Sequence, residues 1–116
     1  MNAKTHLEKA IALNPEFAEA YFELGVLLKN EREIKDSIKN FQKAVSINSD
    51  YAEAQCELAI ALTLDEDHEN ARNHFLNSLE INPNYAHAYF HYALLLIKIN
   101  DYEEAKNNFD KVTEIN

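Results

Sequence analysis

His87 and His91 stand one helical turn apart, a spacing at which two imidazoles can hold a metal ion when a third ligand is near. Glu57, on an earlier segment, could supply that ligand. Against this, Cys56 is the only thiol, and surface histidines on a polar helix face are commoner than such a site, so no metal is expected. A milder chemistry is a pH response, in which protonation of both imidazoles near about pH 6 reduces the acidity of their surroundings. Catalysis finds less support. The chain has a single glycine and no phosphate loop, nucleophile elbow or metal-hydrolase signature. Its carboxylates, such as Glu31, Glu33 and Asp36 or Glu103 and Glu104, are spread as solvated helix faces. The expectation is a non-enzyme with no catalytic residues and no cofactor.

A repeat must position these residues. Asn14-Pro15-Glu16-Phe17-Ala18-Glu19-Ala20-Tyr21-Phe22 returns 68 residues later as Asn82-Pro83-Asn84-Tyr85-Ala86-His87-Ala88-Tyr89-Phe90. Asn48-Ser49-Asp50-Tyr51-Ala52-Glu53-Ala54-Gln55-Cys56 lies midway, a period of 34. Within each period apolar residues recur at three- and four-residue steps, as in Tyr21, Leu24, Leu28 and in Ile34, Ile38, Phe41, Val45, the stripe of an amphipathic helix. A period of this length holds one pair of helices, and such pairs bury their apolar faces on the next pair along. Pro15 and Pro83 close one helix and open the next. Asn48-Ser49-Asp50 can do the same with side chains that bond neighbouring amides.

The shared columns are Tyr21, Gln55, Tyr89; Leu24, Leu58, Tyr92; Gly25, Ala59, Ala93; Leu28, Leu62, Leu96; Ser37, Ala71, Ala105; Phe41, Phe75, Phe109; and Ala44, Ser78, Val112. This pattern resembles the tetratricopeptide repeat over the whole chain, with Gln55 in the large aromatic column and Ser49 where proline is usual. The resemblance implies an all-α fold, a right-handed superhelical α-solenoid of antiparallel helix pairs. One array is expected over 1–116: a half repeat at 1–17, repeats at 18–51 and 52–85, and an uncapped repeat at 86–116. Helices are expected at 2–13, 18–30, 34–47, 52–64, 68–81, 86–99 and 102–115, with boundaries good to about two to four residues. Gln55 is expected to loosen the packing of the middle unit, and small residues at 25, 59 and 93 to let the partner helix approach. The first helix is an orphan, because Ala3, Leu7 and Ala10 fall in the columns of Ser37, Phe41 and Ala44. With no polar capping helix at the other end, the expectation is a piece of a longer protein or a domain covered by another copy.

Composition narrows the partners. Eleven Lys plus Arg against 20 Asp plus Glu give a net charge of -9, which argues against phosphate backbones and anionic membrane surfaces, so no nucleic acid is expected. The longest apolar stretch, 93–97, is far too short for membrane insertion. One cysteine cannot form an internal disulfide, and a cytoplasmic location is the default.

The resemblance implies that the first helix of each pair lines a concave groove. That places Glu19, Phe22, Glu23, Val26 and Lys29 there from one unit. Glu53, Cys56, Glu57, Ile60 and Leu64 follow from the next, and His87, Phe90, His91, Leu94 and Lys98 from the third. Phe22, Cys56 and Phe90, with Val26, Ile60 and Leu94, would form an apolar strip edged by the glutamates and histidines. His68 and His74, on the second helix of their pair, are expected to be solvated. The residue set by which some tetratricopeptide domains clamp a terminal carboxylate is replaced by Phe22, Val26, Glu57, His87 and His91. The asparagine ladder of some glycosyltransferase solenoids is replaced by Glu23, Glu57 and His91. The function expected is a scaffold that binds a protein or peptide partner, an apolar or amphipathic segment with basic flanks. The alternatives are self-association as a homo-oligomer through uncapped ends and a substrate-presenting domain of a larger enzyme.

Overall fold

A computed structural model describes residues 2–116 and shows seven α-helices among them: α1 (Ala3–Leu13), α2 (Ala18–Asn30), α3 (Ile34–Ile47), α4 (Ala52–Leu64), α5 (His68–Ile81), α6 (Ala86–Lys98) and α7 (Tyr102–Ile115). The expected spans and the observed ones agree to within a residue at each end.

Two kinds of turn set this alternation. Within a pair, Arg32, Glu66 and Asn100 take left-handed backbone angles, with φ of 66°, 63° and 67°. The amides of Glu33, Asp67 and Asp101 then donate back to the carbonyls of Leu28, Leu62 and Leu96 at 2.8, 2.9 and 2.8 Å, closing each first helix. Asp67 and Asp101 go on to cap α5 and α7, accepting from the amides of Asn70 and Glu104. Between pairs, the side-chain oxygens of Asn14, Asn48 and Asn82 accept from the amides of Glu16, Asp50 and Asn84, each at 3.2 Å. The asparagine common to all three junctions makes the turn, so Ser49 can stand where Pro15 and Pro83 stand.

The helices α2 and α3, α4 and α5, and α6 and α7 pack as pairs, and α3 on α4 and α5 on α6 join the pairs in series. The first helices also touch one another, α2 on α4 and α4 on α6, whereas the second helices have no such contact among the described residues. The array therefore curves toward α2, α4 and α6, and these form its inner face. The result is a helix-pair solenoid 46 Å long and 24 by 22 Å across. The orphan α1 rests on α2, and none of its residues is fully buried.

A continuous core runs beneath the inner face, through Phe41, Leu58, Leu62, Phe75, Tyr92, Leu95 and Leu96. Close approach is needed at Gly25, where a Cβ atom would come within 2.7 Å of the Phe41 ring. The Gly25 carbonyl accepts from the Ser37 hydroxyl at 2.7 Å, and the Ala52 carbonyl from the Ser78 hydroxyl at 2.9 Å, which ties the two helices of a pair together at buried points.

The Gln55 position differs from expectation in its chemistry. Tyr21 and Tyr89 donate their hydroxyls to the carbonyls of Pro15 and Pro83. Gln55 reproduces that bond with its amide nitrogen, to the Ser49 carbonyl at 3.2 Å, and its oxygen lies 2.7 Å from His74 Nδ1. A hydrogen-bonded glutamine and histidine thus take the place of one aromatic ring. His74 is not solvated: it is half-buried, and burial lowers its pKa, opposed by the nearby Asp67 charge. His68 is also half-buried.

Candidate interaction groove

The inner face divides at α4. Glu19 and Glu23 on α2 and Glu53 on α4 are exposed, and none of the ion pairs among the described residues involves them. Their charges converge on Tyr51, the residue just before α4. Burial first, then Glu19, Glu53 and Glu23, push the Tyr51 hydroxyl up to about 12. This end of the face carries uncompensated negative charge.

The expected apolar strip is not continuous. The ring of Tyr51 lies 5.1 Å from that of Phe22, so Phe22 is half-buried beneath it. Cys56, expected in the groove, is fully buried. Tyr85, one period after Tyr51, lies beside it, and the Cys56 thiol is raised to about 12, by burial first and then by Glu57 and Glu53 against the pull of Lys29. The small thiol sits too deep to be reached from the groove. Val26 and Ile60 pack half-buried against the core. The exposed apolar surface is instead gathered around α4 and α6, where Leu64 is 46 %, Phe90 42 % and Leu94 40 % exposed.

Two seams join the first helices, and equivalent positions behave differently in them. Across the seam between α2 and α4, Lys29 Nζ donates to Glu57 Oε1 at 2.6 Å, with both side chains mostly buried. The other Glu57 oxygen lies 3.5 Å from His87 Nε2, and the His87 and His91 rings meet edge to face at 4.4 Å. The two histidines and Glu57 do come together, but on the ammonium of Lys29, which already holds the carboxylate a metal would need. One period on, the positions of Lys29 and Glu57 are Thr63 and His91. Thr63 turns its hydroxyl back to the Ala59 carbonyl at 2.8 Å. The polar contacts across the second seam, His87 with Glu57 and Lys98 with Glu66, lie to either side of these positions, and between them a cavity of about 240 Å³ opens, lined by Ile60, Thr63, Leu64, Phe75, His91, Leu94 and Lys98. His91 forms part of its wall, half-buried, and its pKa is lowered by burial first and then by His87 and Lys29, against Glu57. Lys98 stands at the rim, 4.0 Å from Glu66.

The structure thus brings five of the expected groove residues, Ile60, Leu64, His91, Leu94 and Lys98, to one cavity. It ties Lys29, Glu57 and His87 into a polar bridge and leaves Glu19, Glu23 and Glu53 free at the other end. Tyr51 and Tyr85 were not among the residues expected here. Their signal was the aromatic at the fourth place of each Asn-led junction, and its role depends on a neighbour one period earlier.

A family model described as tetratricopeptide repeat matches residues 6–39 and 74–107, and a second of the same description matches 52–85. The chain belongs to the tetratricopeptide repeat family. Among solved structures, a crystal structure of MamA is 27% identical over 97% of this chain and 66% of that one, with a TM-score of 0.89. A second MamA crystal structure is also 27% identical, covering 97% of this chain and 62% of that one at a TM-score of 0.87. MamA from Desulfovibrio magneticus RS-1, described as running from 41 to the end, shares the fold at 22% identity and a TM-score of 0.88, with 97% of this chain and 64% of that one covered. This tetratricopeptide array spans slightly under two thirds of the length of these structures. No curated protein matches the sequence. Among the described residues, no helix is long and apolar enough to cross a membrane.

Proposed function

We propose that this tetratricopeptide array is a cytoplasmic protein-interaction module that binds a segment of a partner protein along α2, α4 and α6. We read its units as 18–51, 52–85 and 86–116 after a half unit at 1–17. The observation that carries the reading is the exposed apolar surface of Leu64 and Leu94 at the α4–α6 cavity, with exposed Phe90 one turn before Leu94 on α6, on the same inner face as the unpaired carboxylates of Glu19, Glu23 and Glu53. Apolar side chains covered there contribute about 25 cal/mol per Å² removed from water. The carboxylates select a partner with basic residues beside its apolar ones and repel acidic competitors. No step of this reading requires bond chemistry.

Selection from a displayed peptide library against the whole chain tests it. The expected binders are apolar and basic, and lose affinity on Phe90→Ala and on Glu53→Lys but not on Glu69→Lys, which lies on the second helix of its pair. Binders indifferent to both inner-face changes would place recognition elsewhere.

A further inference from the structure

The α4–α6 cavity and the Glu19, Glu23, Glu53 surface have a fixed separation, and that separation specifies a ligand more closely than the chemistry of either alone. Resting on the function proposed above, we infer that the groove reads an extended segment in which one large apolar side chain enters the α4–α6 cavity while basic residues three to five positions away lie on Glu19, Glu23 and Glu53.

Three observations support this occupant. The cavity, at about 240 Å³, is below the roughly 300–1,000 Å³ of small-molecule sites and suits a single side chain. Its wall is apolar through Ile60, Leu64, Leu94 and Phe75, so the anchor is aliphatic or aromatic. Of the groups that could oppose a basic neighbour, Lys98 and His91 lie at the cavity end and Lys29 is paired with Glu57, whereas the opposite end carries three unpaired carboxylates.

The spacing follows from the helix. Glu53 precedes Ile60 and Leu64 on α4, which puts the carboxylate about 10 to 16 Å from the cavity at about 1.5 Å per residue. An extended segment covers that in about three to five residues at about 3.3 Å each, and a helical one in about seven to eleven. A docked helix needs anchors at successive turns along a continuous apolar strip. Here Tyr51 covers Phe22 and Cys56 is buried, so α2 and α4 offer no second open anchor between the cavity and the carboxylates, and the extended form is the one that fits.

The test uses fluorescein-labelled synthetic peptides, polar except for two adjacent lysines and one leucine, titrated against the full chain. Peptides with the lysines four residues from the leucine are expected to bind at least tenfold more tightly than those with a spacing of one or nine. Leu94→Asp and Glu53→Lys are each expected to lose that preference with an unchanged helical circular dichroism signal. A peptide carrying glutamates in place of the lysines is expected to recover binding to the Glu23→Lys, Glu53→Lys double variant. Equal affinity at all spacings, best affinity at nine, or no binding by any of the set overturns the inference. If library-selected segments still depend on Phe90 and Glu53 but ignore this spacing, only the inference falls. If no segment engages the inner face, the proposed function falls with it.

Discussion

The two seams of the inner face share a backbone pattern and a 34-residue period, yet one is closed by charge and the other is open. Lys29 crosses the first to reach Glu57. At the same two positions of the second, Thr63 is too short to cross and bonds its own helix, and His91 forms part of the cavity wall. The comparison teaches that a solenoid of equivalent units is left with a cavity where one side chain fails to reach, because the helices hold their spacing and no neighbour moves in to fill the gap.

Breaking the closed seam is expected to have the largest effect. Lys29→Met leaves the mostly buried Glu57 carboxylate without its ammonium, at a cost of about 1–3 kcal/mol of stability, whereas Thr63→Val at the equivalent place changes it by less than about 1 kcal/mol. Urea unfolding followed by circular dichroism measures both, and equal costs would show that the seams do not differ energetically. Converting the open seam into the closed kind comes next. Thr63→Lys with His91→Glu is expected to fill the cavity and weaken an apolar-anchored peptide at least tenfold, about 1.4 kcal/mol, with no loss of thermal stability. Retained affinity in a fluorescence titration would remove the cavity from recognition.

The smallest effect is one of pH. Burial lowers the pKa of His91, in the open seam, and of His74, beside Gln55. The unfolded chain, whose histidines titrate near about 6.5, therefore binds more protons than the folded one below that pH. Their contribution is intact above about pH 6.5 and is lost as the pH falls toward the lowered folded values. His91→Gln is expected to flatten the fall, and His74→Asn, which installs the residue found at 40 and 108, to flatten it further. An undiminished slope in both variants, in melting temperatures taken between about pH 5 and 7.5, would contradict the burial argument.

Much of the architecture was legible. Asn14, Asn48 and Asn82 marked every junction, and the stripe of Ile34, Ile38, Phe41 and Val45 marked a helix, because turn-forming side chains and helical spacing act over a few residues. The groove was legible as a set of positions through the family resemblance, but not as a surface. Cys56 shares a column with Phe22 and Phe90, and nothing local distinguishes a thiol that sinks into the core from a phenyl ring that stays half out. Tyr51 covers Phe22 from the following unit, so its role cannot be read within either. His74 looked like a solvated helix residue because its partner, Gln55, lies on another helix. The left-handed turns at Arg32, Glu66 and Asn100 carried no glycine to announce them.

By itself the sequence determined the helices and their pairing, since each follows from periodicity and from turns closed within a few residues, and it offered the inner-facing positions only through the family resemblance. The tertiary structure alone decided which of those positions stay open. Exposure on a solenoid face depends on whether a side chain one period away is long enough to cross the seam, and that reach is settled by packing in three dimensions.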